Sequence, residues 1–252
     1  MGDDLPGVEY WDSDDALRDY TKPPELMGGE RLALKDVFAN DLSGKKVLDL
    51  GCGGGRTSVI LRDMGGEVIG VDISTRLIGA ARRRFPDIDF QLGDAVNLTY
   101  PDASFDCVLF SFNGLDYLYP LKARLKGIGE IWRVLRPGGV FILSFHNLSS
   151  FMFGWYQFMR PWKLAFRAKH ILLGNFFKPE CFLLEPDNFG MWGYHAWPHK
   201  FREGMEANQF EVIGVYPNDP VLGWLQQTIR STVMTRLCDP WPYYAFRKTV
   251  VK

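Results

Sequence analysis

The segment Val47-Leu48-Asp49-Leu50-Gly51-Cys52-Gly53-Gly54-Gly55-Arg56-Thr57 joins an apolar run to a glycine-rich turn. Glycine admits positive φ and lets a ligand approach the main chain, and the free N–H groups at the start of a following helix favour electron-rich ligand atoms. A nucleotide-like ligand is implied. The spacing is G-x-G-x-G, with Arg56 where the dinucleotide fingerprint has its third glycine, and no Lys-Ser or Lys-Thr pair follows. Both departures disfavour a pyrophosphate-bearing dinucleotide or a triphosphate cradle.

Two acids extend the pattern. Asp72 closes Val68-Ile69-Gly70-Val71-Asp72, where a carboxylate accepts hydrogen bonds from vicinal ribose hydroxyls. Its other reading is a helix N-cap, a role Ser74 fills equally well. Asp94, in Phe90-Gln91-Leu92-Gly93-Asp94-Ala95, takes the equivalent place after the next apolar run, in reach of an adenine amine. Among the histidines no spacing is that of a metal site, and Cys52, Cys107, Cys181 and Cys238 form no C-x-x-C pair.

Positioning these groups requires alternating elements. Apolar runs at 47–50, 68–71, 88–92, 105–110 and 140–145 read as strands, with helical spacing at 55–64, 75–85 and 115–135 between them. Strands apolar throughout are buried on both faces, which makes the fold α/β, a doubly wound and mostly parallel sheet with its ligand at the carboxyl ends of the strands. Residues 25–40 read as a helix within an N-terminal cap, 199–208 as a further helix, 210–216 and 243–250 as closing strands, and 221–235 as a helix between them.

Taken in order, the 47–55 turn, Asp72, Gly93-Asp94-Ala95, Phe105-Asp106-Cys107-Val108 and Leu135-Arg136-Pro137-Gly138-Gly139 resemble the successive motifs of class I S-adenosylmethionine-dependent methyltransferases. The resemblance implies a Rossmann-like seven-stranded sheet in order 3-2-1-4-5-7-6 with the seventh strand antiparallel. By similarity, Asp49 and the backbone of Gly51, Cys52 and Gly53 hold the amino acid end of S-adenosylmethionine. Asp72 takes the ribose with Ile73 against the adenine, and Asp94 with Ala95 reads the adenine edge. Phe110 and Ser111 lie by the methionine portion, and Tyr10 closes over from the cap. The methyl then emerges past strands four and five, near Asn113, Asp116, Tyr117, His146 and Asn147. His146, directly after Phe141–Phe145, is the leading candidate base. A pocket-shaping role for it, or a bond to a backbone carbonyl, stays open. His195 and Tyr117 are the remaining catalytic candidates.

The 252 residues are expected to form one domain, with residues 1–40 as cap and 148–198 as a substrate lid inserted after strand five. The insertion is rich in aromatic side chains, among them Phe151, Trp155, Trp162, Phe177, Trp192 and Trp197, which suits an apolar or aromatic small-molecule acceptor. A mini-core or a dimer contact would use the same side chains differently, and the oligomeric state stays open. Arg160, Lys163, Arg167 and Lys169 add a cationic side compatible with contact at a membrane surface. Lys+Arg of 29 against Asp+Glu of 30 gives no basic field for nucleic acid, which lowers the standing of RNA as the methyl acceptor. Methylation of protein and cofactor binding without catalysis also stay open. Dispersed cysteines and an acidic start point to the cytoplasm.

Overall fold

The computed structural model of the chain describes residues 8–150, 168–174, 177–178, 180–184, 192–219, 222–223 and 232–249. Seven strands form the main sheet: β1 Lys46–Leu50, β2 Glu67–Asp72, β3 Asp89–Leu92, β4 Phe105–Phe110, β5 Leu135–Ser144, β9 Phe210–Tyr216 and β10 Tyr243–Lys248. They lie in the order β3-β2-β1-β4-β5-β10-β9. The first five pair in parallel, and β10 runs antiparallel to both β5 and β9. Numbered within the sheet alone, this is the expected order 3-2-1-4-5-7-6.

Successive strand residues point to opposite faces, and both faces are covered. Leu48, Val108, Phe141, Leu143 and Phe246 pack beneath helices α6 (Leu121–Val134) and α7 (Pro198–Ala207). Val47, Cys107, Ile142 and Ala245 pack beneath α3 (Gly28–Phe38), α4 (Arg56–Asp63) and α5 (Thr75–Arg84). This double burial is why the strands carry no polar alternation.

Three expectations change. The helix read at 115–135 is broken: a 3-10 turn at Gly114–Tyr117 precedes α6, whose N-cap is Pro120. Proline has no N–H to continue a helix through that point. Strand β5 starts at Leu135 and carries the Pro-Gly-Gly turn within it, with a register shift against β4 between Phe105 and Cys107. The helix read at 221–235 has, among the described residues, helical structure at 222–223 and α8 at Val233–Cys238.

Before the sheet, α1 (Val8–Trp11) and α2 (Asp14–Tyr20) lead towards α3. A second sheet is built from β6 (His146–Asn147), β7 (Glu180–Leu184) and β8 (Trp192–Ala196), in the order β6-β8-β7, with β7 and β8 inside the segment 148–198 read as an insertion. Residues 151–167 and Phe176, with most of the aromatic and basic side chains assigned to a lid, lie outside the described residues.

Candidate functional site

The carboxyl ends of β1, β2 and β4 open into a cleft of about 950 Å³, mouth included, at the place a doubly wound sheet binds its ligand. Gly51 and Gly53 form its floor, both at positive φ. A Cβ at Gly51 would lie 2.8 Å from Phe110 Cε2, so this position demands glycine on conformational and steric grounds together.

Asp72 and Asp94 both line the cleft. The Asp72 carboxylate accepts the Gly53 N–H at 2.8 Å through Oδ2 and the Ser74 N–H at 2.9 Å through Oδ1. Burial raises its pKa, against the pull of those donors. Ser74, not Asp72, caps α5: its Oγ accepts from Leu77 N at 3.1 Å. A carboxylate offers about four lone-pair directions, so Asp72, which also receives the Ile73 N–H, keeps capacity for a further donor such as a ribose hydroxyl. Ile73, 45% exposed, and Ala95 supply apolar surface to either side. Asp94 is half-buried and accepts from Val96 N at 3.0 Å. Two acceptors flanked by apolar walls, above a glycine floor, fit an adenosyl group.

Phe110 and Ser111 also line the cleft. Asp49 and Cys52 do not line it; both are engaged within the protein. Asp49 is buried and accepts from Thr57 Oγ1 at 2.7 Å and Ser58 Oγ at 2.6 Å, tying β1 to the first turn of α4; burial pushes its carboxyl up to about 6. Cys52 has its N–H committed to Val71 O at 3.0 Å and its thiol buried. Tyr10 does not line the cleft, whereas its neighbour Trp11 does. Trp11 enters the cleft, edge-on to Tyr20 and to Tyr117 with ring centroids 5.4 Å apart in each case. Trp11 O and Asp12 Oδ1 accept from Ser74 Oγ at 2.8 and 2.6 Å, which fastens the N-terminal helices to the start of α5.

A buried ion pair behind the cleft was missed by sequence reasoning. Glu30 on α3 takes two hydrogen bonds from Arg56, at 2.8 and 2.6 Å, and further bonds from Ser111 Oγ, Tyr243 OH at 3.2 Å and Met27 N at 2.7 Å. Burial pushes its carboxyl up, but Arg56 and these donors outweigh it and hold the group below the usual carboxylate range. Arg56 also lies 5.0 Å from the ring centre of Phe112, a cleft residue. The available signal was an arginine at the third-glycine position, read only as a departure from a fingerprint.

The three catalytic candidates form one cluster. His146 and His195 are partners across β6 and β8, their rings stacked 4.7 Å apart, and Tyr117 meets His146 edge-on at 5.7 Å. Of the three, Tyr117 lines the cleft; both histidines are buried behind it. His146 Nδ1 lies 3.1 Å from Asp116 Oδ2, and its Nε2 lies 3.1 Å from Asn113 Nδ2. The His146 backbone N–H donates to the same Asp116 oxygen at 2.6 Å. The second oxygen of Asp116 accepts from Arg124 at 2.6 Å. Asn147 does not line the cleft; its Nδ2 donates to the Arg236 and Asp239 carbonyls at 2.7 Å each.

Residues 47–139 match the methyltransferase domain family. The demethylmenaquinone methyltransferase of Beutenbergia cavernae is 43% identical over 101 residues, which is 40% of each chain. The demethylmenaquinone methyltransferase of Renibacterium salmoninarum is 39% identical over 130 residues, 52% of each. The chain thus spans about half or less of the length of these two relatives. A solved S-adenosylmethionine-dependent methyltransferase from Methanosarcina mazei superposes with a TM-score of 0.60 at 20% identity, covering 87% of this chain and 98% of its own. That last likeness concerns the fold.

Proposed function

We propose that this chain, which belongs to the class I S-adenosylmethionine-dependent methyltransferase family, transfers a methyl group from S-adenosylmethionine to a small apolar or aromatic molecule. The observation that carries the reading is the cleft itself, with Asp72 and Asp94 on neighbouring strand ends over Gly51 and Gly53 and an aromatic wall beyond.

When bound, S-adenosylmethionine supplies a methyl group already activated by its sulfonium. What remains for the protein is to grip, align and keep water out. Asp72 and Asp94 would hold the nucleoside end, and Phe110, Phe112 and Tyr117 line the rest of the same cleft. Trp11, Tyr20 and Phe112 cover that part with apolar surface. Glu30 is neutralised by Arg56 and presents no bare anion there. An acceptor that must lose a proton meets Tyr117 first, with the Asp116–His146 pair directly behind it.

Small-molecule specificity is supported by the aromatic lining and by the names of the relatives. We read the chain as one domain in which the cap, residues 1–40, contributes Trp11 and Tyr20 to the cleft. The insertion 148–198 brings Gly193 beside Tyr117 and His146, where a Cβ would lie 3.5 and 3.4 Å from their rings. Cys52, Cys107 and Cys238, buried and outside any disulfide, support a reducing, cytoplasmic setting.

Incubation with labelled S-adenosylmethionine and a cell extract tests the activity. Label in low-mass apolar material is expected; label confined to RNA or protein overturns the acceptor class. Tight cofactor binding with no acceptor in any extract would make the chain a binding protein instead.

A further inference from the structure

An apolar surface with no part in the cleft lies on residues 168–174 and 177–178. Residues 168–172 are helical, Leu173 and Gly174 close the turn, and Gly174 takes the left-handed φ of +69° that ends it. Along this short stretch Leu172 is 87% exposed, Phe177 84%, Leu173 59% and Ile171 41%. Single exposed apolar side chains are ordinary; four within seven residues are not. Lys169 and Lys178 are exposed at either end.

Charge selects the occupant. Residues 151–179 carry five basic side chains, Arg160, Lys163, Arg167, Lys169 and Lys178, and no Asp or Glu, in a chain whose formal net charge is -1. Of these, Lys169 and Lys178 flank the exposed apolar groups, while Arg160, Lys163 and Arg167 lie outside the described residues. Apolar side chains flanked by lysine are the pattern that seats a segment at the boundary between headgroups and acyl chains. Among the described residues no helix is long and apolar enough to cross a membrane, so such seating would be on the surface.

We infer that Ile171, Leu172, Leu173 and Phe177, flanked by Lys169 and Lys178, dock the protein on an anionic lipid bilayer. The placement relative to the cleft gives the docking a use. Residues 177–178 come just before β7, which pairs with β8, and β8 packs against Tyr117 in the cleft wall. An acceptor dissolved in the bilayer would be collected next to the element that borders the site. That use rests on the apolar-acceptor reading above; the docking itself does not.

Co-sedimentation of the full chain with vesicles of phosphatidylcholine plus phosphatidylglycerol, against phosphatidylcholine alone, tests it. Binding to the anionic vesicles that weakens in high salt is expected. Lys169→Gln should weaken it roughly fivefold, the effect of one basic residue near the surface. Leu172→Asp with Phe177→Asp should abolish it while S-adenosylhomocysteine affinity, read by calorimetry, is unchanged. Absence of vesicle binding, or equal binding by the double variant, overturns the inference. So does dimerisation or single-stranded RNA binding that the double variant loses while vesicle binding is absent. Vesicle binding together with a polar acceptor would uphold the docking and overturn only the acceptor reading.

Discussion

The imidazole of His146 stacks on that of His195 at 4.7 Å, with the rings inclined by 23°, because the two residues face each other across parallel strands β6 and β8. Forty-nine positions apart in sequence, they become one unit only when the insertion folds back against the end of the main sheet. The stack is buried, and His146 is anchored by Asp116, itself held by Arg124. Tyr117 stands between this unit and the cleft.

His146→Ala is expected to lower turnover with cofactor affinity preserved, and to flatten the pH dependence of the rate near neutrality. The measurement is labelled-methyl transfer across pH alongside calorimetry with S-adenosylhomocysteine. Retained turnover with an unaltered pH profile returns His146 to packing.

Asp72→Ala should weaken S-adenosylhomocysteine binding by about 1 to 3 kcal/mol, the range for leaving buried polar partners unsatisfied. Part of that loss comes from the Gly53 and Ser74 N–H groups that the carboxylate now satisfies. Calorimetry reads it directly, and an unchanged affinity would remove the ribose assignment.

Gly51→Ala and Gly129→Ala should move the melting temperature in opposite directions. At Gly51 the new methyl meets Phe110 in a left-handed backbone, costing about 1 to 3 kcal/mol. Gly129 sits on the exposed side of α6 with nothing within 4 Å of an added Cβ, and alanine there gains roughly 0.5 to 1 kcal/mol from helix propensity. Thermal melts of the pair check both signs, and a loss at Gly129 would contradict the second.

Glu30→Gln leaves the Arg56 charge buried without its partner, and should cost about 3 to 5 kcal/mol at neutral pH. Replacing both, as Glu30→Gln with Arg56→Met, should recover much of it. The sign with pH follows from the lowered carboxyl. Its stabilisation is complete above the unfolded carboxylate value of about 4 and is lost as pH falls through the lower folded value. The penalty for the single variant should therefore shrink in acid; denaturant melts at neutral and acid pH would show a constant penalty if the pair is unimportant.

What could be read from the residues was what depends on backbone proximity and period. Gly51, Asp72 and Asp94 sit at strand ends that announce themselves by apolar runs, so their places follow once the strands are counted. The Glu30–Arg56 pair is a junction of two elements 26 residues apart, and neither element carries a pattern pointing at the other. Strand β6 has two residues, too few for any period, so the β6-β8-β7 sheet had no signature and the His146–His195 contact with it. Tyr10 and Trp11 are adjacent aromatics on one helix; which of them turns inward is settled by the bonds from Ser74 to Trp11 O and Asp12, a tertiary fact. Pro120 stood inside the stretch read as one helix at 115–135, and its missing N–H accounts for the break ahead of α6.

That clasp of Ser74 on the N-terminal helices ties the cover of the cleft to the cap of α5 through hydrogen bonds that add to the aromatic contacts of Trp11 and Tyr20. A fastening of this kind can be undone by water one bond at a time, leaving the sheet intact, so replacement of a spent nucleoside by a fresh one need not disturb the core. Loosening it with Asp12→Ala would then be felt in how long a nucleoside resides, more than in how the protein stands up to heat.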